Sequence, residues 1–127
     1  MSNVPVILCV DDEPVGLHAR SLLLSIAGYT VLTASSGKAA LELFRGAHVD
    51  LVITDHWLPD ITGVELAAEM KQLKPEVPIV LFSGLAELPL EDKHIDLYLT
   101  KGLMPPEFLA QVAKLLARKP PSETETM

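Results

Sequence analysis

Three acids stand where a buried strand should end. The apolar run Val6 to Val10 gives way to Asp11, Asp12 and Glu13. Further on, Asp55 follows "LVIT", Ser83 follows "IVLF", and Thr100 and Lys101 follow "LYL". Singly, each has an ordinary explanation. An Asp ahead of a helix is commonly an N-cap, a Ser before a Gly is a turn residue, and a lone lysine is a solvated charge. As a set they differ. Carboxylates suit a hard divalent cation, and a lysine places a compact positive charge beside it. Without a cation, three gathered carboxylates repel and raise the proton affinity of at least one. Whether these residues meet depends on the elements that carry them.

Four short runs are rich in β-formers: "VPVILCV", "YTVLTA", "VDLVIT" and "VPIVLF", with a weaker fifth, "IDLYLT". Helical spacing fills the stretches between. "EPVGLHARSLLLSIAG" places Val15, Leu22, Leu23 and Ile26 on one side, the expected core face, with Gly28 as a C-terminal stop. "SSGKAALELFRG" runs from a Ser cap to Gly46, "TGVELAAEMKQLKP" ends before Pro75, and "PPEFLAQVAKLLARK" opens on prolines and closes on basic residues. Strands alternating with helices imply βαβ units and a parallel sheet, and continuous apolar runs imply strands covered on both faces. Right-handed crossovers then give a doubly wound three-layer α/β sandwich. Sites in such folds form beyond the carboxyl ends of the strands. Asp11, Asp12, Asp55, Ser83 and Lys101 all belong there.

Other features bound the reading. The chain has 127 residues, which suits one domain, and 49% apolar residues, which suits a full core. Its single cysteine, Cys9, lies in an apolar run and reads as a core residue; no disulfide can form within the chain. The N-terminus shows no signal peptide, no run spans a bilayer, and a cytoplasmic protein is expected. Net charge is −7, which argues against nucleic-acid or anionic-membrane binding. The segment "SGLAELPLEDKH" is short and holds Pro89, so the fourth helix should be short or absent. The tail, residues 119–127, is polar with two prolines and should be disordered. His18, His48, His56 and His94 lack metal-ligand spacing and read as surface residues, with His56 a candidate for tuning Asp55 from the next position.

At this point the chain resembles the receiver domains of bacterial two-component response regulators. The resemblance rests on Asp11-Asp12, Asp55, the "LP" and Gly of "DHWLPDITG", Ser83, Lys101, and Tyr98 three residues before that lysine. It covers residues 4–118. It implies a five-stranded parallel sheet of order 2-1-3-4-5 in a chemotaxis-regulator-like fold. It implies that Asp55 is the phosphoacceptor, receiving a phosphoryl group from a histidine kinase or a histidine phosphotransfer protein. Asp12, Asp55 and the backbone carbonyl of Trp57 would ligate Mg²⁺ (or Mn²⁺) directly, with Asp11 acting mainly through water. Ser83 and Lys101 would contact the phosphoryl oxygens, and Ser83 and Tyr98 would form the switch. His56, Trp57 and Leu85 would tune the site. The product is a phosphorelay signalling module, not an enzyme, working as a monomer or weak homodimer on a downstream protein partner.

Three departures from the family pattern bear on this. Gly102 follows the site lysine where receivers usually carry a cis-bonded Pro, so a trans or mobile loop is expected. The Ser83-to-Lys101 segment is about one helical turn short, as in the subgroup with a reduced fourth helix. Trp57 stands two residues after Asp55, where its ring would shield an acyl phosphate and slow its hydrolysis. No output module fits after Arg118, which favours a stand-alone form. An unphosphorylated scaffold of the same fold is the alternative, against which the full acid, hydroxyl and lysine set counts. A haloacid-dehalogenase-type phosphatase would need a second Asp at position 57, where Trp57 stands.

Overall fold

Each apolar run becomes a strand. The computed structural model describes residues 4–84 and 91–118. The strands are β1 (Val6–Val10), β2 (Thr30–Ala34), β3 (Leu51–Thr54), β4 (Ile79–Ser83) and β5 (Leu97–Thr100). All neighbours pair in parallel, in the order β2-β1-β3-β4-β5. The order reverses direction at β1, which places the ends of β1 and β3 side by side. The described residues form four helices: α1 (Pro14–Ile26), α2 (Gly37–Gly46), α3 (Gly63–Leu73) and α4 (Pro105–Ala117). This is the doubly wound α/β sandwich the sequence implied.

Alternation along the strands divides the core in two. Leu8, Val10, Val52, Ile79 and Leu81 pack with Ala40, Leu41 and Phe44 of α2 and Leu66, Ala67 and Met70 of α3. Ile7, Cys9, Leu51, Ile53, Val80 and Phe82 point to the other face, against Leu24 of α1 and Phe108, Val112 and Leu115 of α4. Each fully buried aliphatic chain contributes about 1.5–3 kcal/mol of transfer free energy. A central strand residue therefore cannot be shifted by one position without moving its side chain into the wrong layer. The registry of the strand ends, and with it the site, is fixed by this core.

The helix ends follow local chemistry. Glu13 caps α1, its carboxylate accepting from the amides of Gly16 (2.6 Å) and Val15 (3.2 Å). Ser36 caps α2, and Thr62 with Glu65 forms a capping box on α3. Gly28 ends α1 with φ of 107°, a conformation that suits glycine. The Lys101–Gly102 peptide bond is trans.

The expected inner face of α1 is corrected. Val15 and Ile26 are 75% and 76% exposed, and Leu22 is exposed too; of the four residues assigned to the core face, only Leu23 packs against the core. Leu24 is the fully buried residue, with Leu17 packed beside the same cluster. Leucines at 22, 23 and 24 surround the helix, so spacing alone selected the wrong arc. The arc that faces the sheet includes Arg20, whose charge removed it from any apolar count. The segment between β4 and β5 forms turns without a helix over residues 91–96. The rest of the segment expected to carry a short or absent fourth helix, with Leu85 and Pro89, lies outside the described residues, as does the tail at 119–127.

Candidate functional site

Three backbone hydrogen bonds carry the ladder one residue past the strand ends. The Asp11 amide donates to Ala34 O (3.1 Å), the Asp55 amide to Val10 O (2.9 Å), and the Lys101 amide to Ser83 O (2.9 Å). Asp11, Asp55 and Lys101 are thus held by the sheet rather than by loops. One oxygen from each of Asp11, Asp12 and Asp55 lies within 4.8 Å of the others. The Nζ of Lys101 stands between two of them, 3.0 Å from Asp11 Oδ2 and 3.4 Å from Asp55 Oδ2. Ser83, at the end of β4, is buried beside Thr100 in register.

The acids divide their work. Glu13 is the helix cap, so the capping explanation accounts for the third acid and not for Asp12. Asp11 is fully buried and accepts from the Glu13 amide through Oδ1 (3.0 Å). Its Oδ2 accepts from Lys101 and also from Arg20 Nη2, at 2.5 Å. Asp12 is exposed. Asp55 accepts the His56 amide on Oδ1 (2.9 Å) and leaves Oδ2 toward Lys101.

These surroundings push the two inner carboxyls in opposite directions. Burial alone would raise Asp11, but the Glu13 amide, Lys101 and Arg20 outweigh it and hold the group below its ordinary range. Burial also raises Asp55, Asp11's charge adds to it, and Lys101 and the His56 amide offset only part. Asp11 is therefore the more strongly stabilised anion, and Asp55 the more basic carboxylate.

The loop "DHWLPDITG" is pinned at both ends. Asp60 accepts from the amides of Gly37 and Lys38, both at 2.9 Å, which ties the loop to the start of α2. Gly63 donates to His56 O (2.7 Å), and a Cβ at Gly63 would lie 2.6 Å from the Asp55 carbonyl oxygen, so only glycine fits there. Trp57 bridges to Thr62 and is 55% exposed, its ring edge-on to His56 at 4.5 Å. Tyr98 accepts a hydrogen bond from the Asp92 amide through its hydroxyl (2.6 Å) while its ring packs on the α2–α3 side of the core.

Two expectations change here. His56 is not a surface residue: it is 7% exposed, because its position alternates inward after the buried strand, and its Nδ1 has no hydrogen-bond partner among the described residues. His94 is half-buried, paired with Asp92 at 2.8 Å, while His18 and His48 are exposed. Leu85 lies outside the described residues. Sequence reading missed Arg20 altogether. The available signal was an arginine flanked at helical spacing by Leu17 and Leu24, a place where a charge must find a partner.

The model of the response regulator receiver domain matches residues 7–113. The chain belongs to the response regulator receiver family. Among solved structures, the signal receiver domain of an HD domain-containing protein from Pseudomonas fluorescens superposes with a TM-score of 0.87 at 31% identity, covering 100% of this chain and 96% of that one. The response regulator TrrA from Thermotoga maritima, solved in complex with Mg²⁺–BeF, gives a TM-score of 0.82 at 33% identity over 88% of this chain and 99% of that one. The transcriptional regulatory protein GlrR of Escherichia coli is 36% identical over 90 residues, 70% of this chain and 20% of GlrR. This receiver thus spans only a fifth of that relative's length. Among the described residues, no helix is long and apolar enough to cross a membrane.

Proposed function

We propose that this receiver is a phosphoacceptor in two-component signalling, with Asp55 as the accepting residue. A carboxylate oxygen of Asp55 would attack the phosphorus of a phosphohistidine on a partner kinase or phosphotransfer protein. The P–O bond forms and the P–N bond breaks, and the histidine leaves as neutral imidazole, keeping the proton already on its other ring nitrogen. The observation that carries this reading is Lys101 Nζ between Asp11 Oδ2 and Asp55 Oδ2, at the mouth of three carboxylates. Lys101 is within reach of a phosphoryl oxygen on Asp55 and would trade its carboxylate partners for it.

The three carboxylates are the donor set of a hard cation, and their mutual approach fits Mg²⁺, with Asp12, Asp55 and the Trp57 carbonyl as ligands and Asp11 behind them. When bound, Mg²⁺ offsets charge on a transferring phosphoryl group, which is spread over its oxygens. The solved relative with Mg²⁺–BeF supports this assignment. The protein itself holds the nucleophile, fixes Lys101, and keeps Asp11 charged. It is a signalling module rather than an enzyme acting on a separate substrate, and it acts in the cytoplasm, where the free, buried thiol of Cys9 is at home.

The output is a shift between two packings. Ser83 moves toward the phosphoryl group and Tyr98 turns inward. That turn breaks the hydrogen bond from the Asp92 amide, which transmits the change to the β4–β5 connection, where a downstream protein partner would read it. The test is intact-protein mass after incubation with acetyl phosphate, with and without Mg²⁺. A gain of one phosphoryl group that needs both Mg²⁺ and Asp55 supports the reading. No gain under any condition would leave an unphosphorylated scaffold of the same fold.

A further inference from the structure

Arg20 is a charge inside a layer that is otherwise apolar. Its side chain is 12% exposed and comes from the sheet-facing arc of α1. Its guanidinium lies over the ring of Phe82, 4.7 Å from the centroid, and Phe82 packs against Phe108 of α4. Its Nε has no hydrogen-bond partner among the described residues. The group is therefore clamped by an aromatic face on one side and by one carboxylate oxygen, Asp11 Oδ2, on the other. The same oxygen already serves Lys101. Two cations thus share one anion, although a single lysine would have sufficed to pair it.

The consequence is electrostatic. Asp11, Asp12 and Asp55 carry three negative charges, and Lys101 offsets one. Arg20 offsets a second and cannot be withdrawn without leaving a buried guanidinium unpaired. We propose that Arg20 is a positioning residue of the phosphoryl-transfer site, a resident counter-ion that claims Oδ2 of Asp11, weakens Mg²⁺ binding to the resting protein, and frees Lys101 to turn toward the phosphoryl group. This rests on the metal-site reading given above. With Arg20 present the resting cluster has a net charge near −1, so a divalent cation binds firmly only when a phosphoryl group brings negative charge of its own. Metal and phosphoryl group then enter together.

The test is Mg²⁺ binding at pH 8 in the absence of any phosphodonor, followed by the amide NMR shifts of Asp12 and Asp55. Arg20→Met and Arg20→Gln remove the charge; Gln keeps a hydrogen-bond donor in case Met does not fold. Both are expected to bind Mg²⁺ about tenfold more tightly than wild type, the order expected for deleting one unit charge close to a divalent ion in a partly solvated site. Arg20→Lys retains the charge and should stay within about threefold of wild type. Neutral variants that bind Mg²⁺ no tighter than wild type would overturn the proposal while leaving the metal site intact. Loss of folding in both neutral variants would also overturn it, by assigning Arg20 to stability. No Mg²⁺ response in the wild type or in either neutral variant would remove the metal-site reading itself, and the proposal with it.

Discussion

The ends of β1 and β3 lie side by side in the sheet, and each presents an aspartate held by a backbone hydrogen bond to its neighbouring strand. Their surroundings differ. At the end of β1, Asp11 is fully buried and saturated by a backbone amide and two cations. At the end of β3, Asp55 is only partly covered and has one amide and one more distant lysine. Identical residues at equivalent strand ends thus become a closely paired anion and a more loosely held, more basic carboxylate. The side chain does not decide which; the count of positive partners around it does.

The sharpest way to break this comparison is to neutralise each acid in turn. Asp55→Asn should abolish phosphoryl incorporation from acetyl phosphate as read by intact mass. Asp11→Asn, acting one shell further from the reacting atoms, should slow it by roughly 10–100-fold and leave it detectable. Equal and complete loss in both would erase the division of roles.

Stability should reverse the ranking. In metal-free protein, Asp11→Asn leaves Arg20 buried beside a neutral group, and urea denaturation should show a loss of about 3 kcal/mol. Asp55→Asn removes a carboxylate that burial and Asp11 disfavour, and should leave stability unchanged or raise it by up to about 1 kcal/mol.

The pH dependence sharpens the same contrast. Asp11 is depressed in the folded state, so its stabilisation is present above the ordinary carboxyl value of 3.8 and fades only as pH falls through the lower folded value. Asp55 is raised by its burial, so its charge is a liability at neutral pH that is relieved on acidification through the raised value. The stability difference between wild type and Asp55→Asn should therefore shrink between neutrality and about pH 4, while that between wild type and Asp11→Asn should persist over the same range. Denaturation midpoints measured across this range check both signs.

The smallest effect concerns Trp57. Its exposed ring stands on the loop that follows Asp55, edge-on to His56. Trp57→Asn should shorten the lifetime of the phosphorylated protein by a few-fold, measured as the decay of the phosphorylated mass after donor removal. An unchanged lifetime would show that the ring does not screen the acyl phosphate from water.

Much of this molecule is legible in its sequence. Five apolar runs alternating with capped amphipathic stretches specify a parallel sheet, because continuous β-branched runs bury well only when both faces are covered. The acids, the serine and the lysine could be placed at strand ends because strand ends follow from where those runs stop. The family motifs agree with that placement. Three things stayed out of reach. The core face of α1 was misread, since a helix with leucine at 22, 23 and 24 offers more than one apolar arc. His56 passed as a surface residue, since a histidine gives no sign of its burial. Arg20 was passed over, since a charge in a helical pattern counts as solvated until something buries it.

The sequence by itself determined the elements, their order and the inventory of chemical groups, because those depend on local periodicity and on the residue types present. Only the tertiary structure decided which groups share a neighbourhood. Arg20 and Lys101 are 81 residues apart in the chain, and they converge on one oxygen of Asp11 because α1 folds onto the sheet with Arg20 in its inward arc and β5 ends in register with β4. Charge interactions act through space and depend on burial, so the electrostatic contrast between Asp11 and Asp55 comes from the fold and not from spacing along the chain.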